Sequence, residues 1–225
     1  MKTFARANCA KNSTATATGY GALPAATEGV IIGLVAHPWW VNLIILIPPL
    51  AYFYWRRGGV PLSPRQLAAS GVFAASFGFL EAVVVVYLRA AAGLLPGYLG
   101  TLSDLTRMSG EFYRQSKAIG QLPPSLLSLE VLREAATILM LVSVALLTSA
   151  KSRALTAIFL WTFAIWDIAY YAALWATVRW PLSLKDPDVL FLIPVPWLSP
   201  VWFPLLVSAL ALSAVLLSRV TPPNA

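Results

Sequence analysis

Five stretches of this chain are apolar over lengths that suit a bilayer and little else: residues 30–55, 67–94, 129–150, 154–178 and 201–217. A hydrocarbon core of about 30 Å needs roughly 20 such residues per helix. A chain that must hide five of them from water is therefore read as an integral membrane protein. Composition agrees: 59% of residues are hydrophobic and 11% charged, against roughly 25% charged in a soluble domain. That excludes a soluble enzyme and an intrinsically disordered chain alike. The expected fold is all-α, a helical bundle of about five transmembrane helices. Residues 1–28 form a polar tail, 29–219 the bundle with a long loop at 96–128, and 220–225 a C-terminal tail.

The formal net charge of +7 is a topology signal, because the cations gather at span ends. Arg56, Arg57, Arg65, Lys151, Arg153 and Arg219 flank the loops of one side with no acid among them. That side is expected to be cytoplasmic, which puts the N-terminus outside and the C-terminus inside. No nucleic-acid partner is implied, and membrane lipids are the first partners. Trp39, Trp40, Trp175, Trp180, Trp197 and Trp202 fall near the outer ends of spans and read as interface anchors. No apolar stretch suitable for a signal-peptide core occurs before Val30, so cleavage is not expected. The single cysteine, Cys9, rules out an internal disulfide and any multi-cysteine metal site.

Prolines qualify two segments. His37-Pro38 and Pro48-Pro49 make the first run either one kinked helix or an interfacial piece followed by a span starting near Trp39. Residues 189–199, broken by Pro194 and Pro196, are expected to lie in the interface or dip into the bundle. Ala74, Gly78 and Ala82 form a small-residue stripe suited to close helix approach, equally an internal contact or a subunit interface. In the long loop, Leu102, Leu105, Met108 and Phe112 recur at helical spacing, which suits an amphipathic surface helix.

The residues that demand explanation are charged ones at membrane depth. Glu81 and Asp167 lie near the midpoints of the second and fourth runs, where a charge costs perhaps 2.5 to 3.5 kcal/mol on insertion scales. Glu130, Arg133, Glu134 and Thr137 share one face of the third helix. Arg89 lies at a depth similar to that of Glu134, so Arg89 with Glu134, or Arg133 with Glu81, are candidate cross-helix ion pairs. Tyr170 and Tyr171 follow Asp167 by three and four residues, so one phenol can share its face and hydrogen-bond it. His37, Glu130 and Asp188 complete a possible rim. The expected feature is a polar cluster of Glu81, Arg89, Arg133, Glu134, Asp167 and Tyr171, open toward the outer half. It is either a network that fixes helix register or a site for a proton, cation, small ligand or lipid headgroup.

No catalytic residue stands out. One histidine and one cysteine leave no histidine-rich metal centre and no recognisable hydrolase motif. Asp186-Pro187-Asp188 has the spacing to hold a hard divalent cation at the membrane surface. No cofactor is identified.

The segments Phe79-Leu80-Glu81-Ala82, Arg133-Glu134-Ala135-Ala136-Thr137, Trp166-Asp167-Ile168-Ala169-Tyr170-Tyr171 and Asp188-Val189-Leu190-Phe191-Leu192-Ile193-Pro194-Val195-Pro196-Trp197 together resemble a family of bacterial multi-pass membrane proteins. The resemblance covers the chain from Ala69 onward and implies an inner-membrane location but no activity. Three functions follow as expectations. The first is an accessory or scaffold subunit of a larger membrane complex, associating with other subunits or with itself. The alternative is a small proton- or cation-coupled transporter using Glu81 and Asp167. The third is a lipid-headgroup enzyme using Asp186 and Asp188.

Overall fold

A computed structural model describes residues 35–91 and 124–220, with side chains described over 35–87 and 127–220. The N-terminal tail, nearly all of the long loop with its amphipathic pattern, and Arg89's side chain lie outside the described residues. The protein is mostly helical: α1 Ile47–Trp55, α2 Pro64–Ala91, α3 Pro124–Thr148, α4 Ser152–Val178 and α5 Trp202–Ser218. Three of these, α2, α3 and α4, are long and apolar enough to cross a membrane.

The first apolar run starts at Trp39, as a 3₁₀ helix Trp39–Leu46 that passes directly into α1. Pro48 and Pro49 have no amide hydrogen, so the usual α-helical donors to the carbonyls of residues 44 and 45 are missing. The Ile47 N–H bonds instead to the Ile44 carbonyl in the tighter 3₁₀ pattern. Because 3₁₀ geometry rises about 2.0 Å per residue against 1.5 Å, these 17 residues reach about 30 Å, the thickness of a hydrocarbon core.

At α2 the chain Ser63-Pro64-Arg65-Gln66 forms a capping box. The Ser63 N–H donates to Gln66 Oε1 at 2.9 Å and the Gln66 N–H to Ser63 Oγ at 3.2 Å. Gln66 Nε2 donates onward to the Thr148 carbonyl at 3.2 Å, which ties the start of α2 to the end of α3. Two short strands, β1 Val60–Pro61 and β4 Arg219–Val220, pair in parallel beside it, and Arg219 Nε donates to the Leu62 carbonyl at 2.9 Å. The Arg153 guanidinium sits 5.0 Å from the Tyr54 ring centre. These contacts gather the six flanking cations at one end of the bundle.

The opposite end departs from the all-α expectation. Residues 187–200 form a hairpin, with β2 Pro187–Phe191 antiparallel to β3 Trp197–Pro200 and an irregularity between Val189 and Phe191. Leu198 and His37 exchange both backbone bonds, at 2.7 and 2.8 Å, so the segment entering the 3₁₀ helix caps β3. Pro194 and Pro196 remove two amide donors that a helix here would use, and pairing the segment's backbone with itself leaves few polar groups bare. The hairpin does dip into the bundle: Phe191 packs among Phe163, Trp166 and Trp197, with ring centres 5.2 to 6.5 Å apart.

The most extensive helix pairing is α2 with α4, and the small-residue stripe is spent on it. Ala74 and Ala82 are fully buried, while Gly78 lies against the Trp166 carbonyl and Tyr170 nitrogen of α4. The open choice between internal contact and subunit interface thus resolves to internal contact. Two of the six tryptophans also depart from the belt reading. Trp180 is buried beside Tyr171, and Trp197 meets Trp40 edge-on at 5.1 Å. Trp39 and Trp175 are exposed as anchors would be.

Candidate functional site: a buried carboxylate chamber

Five carboxylates, Glu81, Glu130, Glu134, Asp167 and Asp188, are each less than a tenth exposed. All five line one cavity of about 70 Å³ between α2, α3, α4, α5 and the hairpin. Among the described residues, Arg133 is the one cationic side chain on its wall. The sequence placed Glu130, Arg133, Glu134 and Thr137 on one face of α3, and that face continues inward to the fully buried Leu141 and Ala145.

Of the two candidate ion pairs, Arg133 with Glu81 forms. Arg133 also grips Glu130 through two bonds, Nε to Oε2 at 3.2 Å and Nη2 to Oε1 at 3.1 Å. This is fork geometry that a lysine would not supply. The second oxygen of Glu81 accepts the Trp166 indole N–H at 2.5 Å. The Thr137 hydroxyl lies 3.4 Å from Glu81 Oε1 and 3.0 Å from the Arg133 carbonyl, to which it donates. Glu81 is thereby a locked carboxylate, with a partner on each oxygen.

The other acids are held from different elements. Glu134 Oε2 accepts the backbone N–H of Leu192 at 2.7 Å, so α3 pins the turn of the hairpin. Asp167 Oδ2 accepts the Ser208 hydroxyl of α5 at 2.8 Å. Of the two phenols either of which could have bonded Asp167, Tyr171 turns to Asp188 instead. Its hydroxyl donates to Asp188 Oδ2 at 2.6 Å, because β2 lays Asp188 over that face of α4 while Ser208 reaches Asp167 first. Asp188 Oδ1 also accepts the Val189 N–H at 2.8 Å.

His37, the other predicted rim residue, has its backbone in the hairpin contact, but its side chain is exposed and does not line the chamber. The Asp186–Asp188 pair separates. Asp186 turns away to accept the Leu182 and Ser183 N–H groups at 2.8 and 3.0 Å, while Asp188 is buried in the chamber wall. With one carboxylate capping a surface turn, the two do not form a shared cation site. No group of three or more histidine, cysteine or acidic residues suited to a metal occurs among the described residues.

Sequence reasoning missed Trp166 on the chamber wall and Ser208, which holds the chamber's Asp167 from α5. Ser208 carries a signal, a hydroxyl inside the apolar run Leu206-Val207-Ser208-Ala209. Trp166 reads from sequence as one more apolar residue. Aromatic rings complete the wall: Phe163, Trp166, Tyr170, Phe191 and Trp197. Chemically, carboxylates buried inside a bundle either carry protons or are met by a cation.

A second, larger cavity adjoins the first. It has a volume of about 630 Å³ and is lined by apolar side chains of the 3₁₀–α1 segment, α3, α4 and α5, save for Glu134 and Ser208. Comparison of the chain with protein-family models, with curated proteins and with solved structures finds no match, so the geometry alone carries the functional reading.

Proposed function

We propose that the protein is a small proton- or cation-coupled carrier of the bacterial inner membrane, with its binding site in the carboxylate chamber. The proposal includes five spans, with the 3₁₀–α1 segment and α5 crossing alongside α2, α3 and α4. It also includes an outside N-terminus, supported by the gathering of Arg56, Arg57, Arg65, Lys151, Arg153 and Arg219 at the opposite end. The observation that carries the reading is the chamber itself, a cavity with five acids and, among the described residues, one base on its wall.

Within it the carboxylates divide the work. Glu81 and Glu130, clamped by Arg133, set helix register. Asp167, whose hydrogen-bond partner is the Ser208 hydroxyl, is the carboxylate best able to exchange a proton for a cation.

The test is flux in proteoliposomes with a trapped pH dye. Adding sodium, potassium or tetramethylammonium outside should drive proton exit in the wild type. Asp167→Asn should slow that response at least tenfold while remaining monodisperse in detergent. Absence of any cation-dependent pH change in the wild type, or an unimpaired Asp167→Asn, would overturn the reading.

The accessory-subunit reading keeps one observation in its favour. The apolar window of α3 is only 22% buried, and Leu129, Leu132, Leu139 and Leu147 face outward. Another membrane subunit, a second copy or lipid alone would cover them. Purification in mild detergent separates these, because a monodisperse monomer with no copurifying chain removes the subunit reading.

A further inference from the structure

At the end of the bundle away from the chamber, α2 and α3 are joined at their tips and parted just inside them. Gln66 Nε2 donates to the Thr148 carbonyl at 3.2 Å, but α3 packs chiefly on α4 and hardly on α2. The gap is a cleft of about 410 Å³. Ser63 and Arg65 line it at the tip, Ala69, Phe73 and Val144 toward mid-bundle, and α2 rises about 14 Å from Pro64 to Phe73. Val72 and Leu147, next in sequence to lining residues, are exposed, so in a bilayer the cleft opens sideways onto hydrocarbon.

Charge here has one sign. Arg65 is exposed and belongs to the six cations gathered at this end. Every acid among the described residues lies elsewhere: Glu81, Glu130, Glu134, Asp167 and Asp188 line the chamber, and Asp186 caps a turn after α4. Even Glu81, on the same helix, is about 24 Å from Arg65 along the axis. The Ser70 and Thr148 hydroxyls donate to the Gln66 and Val144 carbonyls of their own helices, each at 2.7 Å. What the cleft offers a ligand is therefore the Arg65 guanidinium and the hydroxyl hydrogen of Ser63, whose oxygen takes the Gln66 N–H.

We propose that this cleft binds an anionic phospholipid of the leaflet at that end: its phosphate pairs with Arg65 and accepts the Ser63 hydroxyl, and one acyl chain lies between α2 and α3. Arginine suits a phosphate through its planar fork of donors, and basic pockets between transmembrane helices hold lipid headgroups. The order of groups along the cleft, cation at the tip and apolar wall inward, is the order in which a lipid presents phosphate and chain. A free anion would leave the apolar part unfilled, and a zwitterionic lipid would bring its own cation beside Arg65. The site stands apart from the chamber and does not depend on what the chamber carries.

The experiment titrates the full chain in dodecylmaltoside with dioctanoyl phosphatidylglycerol or dioctanoyl phosphatidylcholine, by calorimetry with empty micelles subtracted. Phosphatidylglycerol should bind at least about fivefold more tightly, the share of a single cation near a charged surface. Arg65→Gln, at an exposed position, should remove that preference. Arg56, which stacks over the Phe53 ring and does not line the cleft, is the control, and Arg56→Gln should leave the preference standing. Ala69→Phe, also at an exposed position, fills the apolar part and should weaken both lipids. If the wild type binds the two lipids alike, or Arg56→Gln costs as much as Arg65→Gln, the cations act as diffuse surface charge and the proposal fails. If Ala69→Phe binds phosphatidylglycerol as the wild type does, or inorganic phosphate at equal concentration displaces it, the cleft takes a soluble anion and the lipid proposal fails as well.

Discussion

Gly78 is the position where a single methyl group should do most harm for its size. A Cβ built there would lie 2.4 Å from the Trp166 carbonyl oxygen and 3.0 Å from both the Tyr170 nitrogen and the Ala169 Cβ. Two of these three are backbone atoms, which cannot rotate aside. Restoring contact at about 3.5 Å requires α2 and α4 to part by about 1 Å. Overpacking costs about 1–3 kcal/mol, and a rigid obstacle belongs in the upper half of that range. The better helix propensity of alanine returns about 1 kcal/mol, so Gly78→Ala should destabilise by about 1–2 kcal/mol.

Gly71, two turns away on the same helix, is the control. Its added Cβ would meet Ile165 Cδ1 at 3.2 Å, the end of a side chain that can yield, and Trp161 Nε1 at 3.3 Å, in an indole that donates to the Leu67 carbonyl and need move by only a few tenths of an ångström. Gly71→Ala should therefore fall between neutral and about 1 kcal/mol stabilising. Titration with SDS from mixed micelles, followed by tryptophan fluorescence, measures both. The Gly78 variant should also disturb the 2.5 Å bond from Trp166 to Glu81, because Trp166 lies on the displaced contact. If the two substitutions prove equally harmless, the close approach of α2 and α4 is not a property of the folded bundle.

Arg133→Gln should cost more than Glu81→Gln, about 3–5 kcal/mol against about 1–2. Losing the guanidinium takes an ion-pair partner from two buried carboxylates at once, whereas losing Glu81 leaves Arg133 held by Glu130; the same SDS titration ranks them, and the reverse order would count against the fork. Glu134→Leu removes the acceptor for the Leu192 N–H and should speed hydrogen exchange across residues 187–200 at least tenfold, while leaving α2 unchanged. Cys9 is the only cysteine, so a membrane-impermeant maleimide should label intact spheroplasts through it if the N-terminus is outside. Labelling only after lysis would invert the proposed topology.

Glycine, proline and charge were legible along the chain because each acts locally. The apolar runs mark α2, α3 and α4 by length alone, the paired prolines predict an interrupted first run, and the i, i+3, i+4, i+7 spacing puts Glu130, Arg133, Glu134 and Thr137 on one face. Periodicity also singles out Glu81 and Asp167 as charges that need company. It does not say whose company, because that is decided across helices. Arg133 meets Glu81 from 52 positions away, Trp166 from 85, Ser208 meets Asp167 from 41 and Leu192 meets Glu134 from 58.

Such pairings depend on how far each helix is rotated and how closely it approaches its neighbours, which a one-dimensional pattern does not encode. The hairpin was hidden for a related reason. Pro194 and Pro196 say only that residues 189–199 lie in the interface or dip into the bundle, and a facing strand turns them into a wall for the chamber. What the chain determined by itself is that three of its helices are long and apolar enough to cross a membrane, and which of its charges would be costly there. What the tertiary structure decided is that those charges close around one space, because α2 and α4 touch at Gly78 while β2 and α5 bring Asp188 and Ser208 to the same depth.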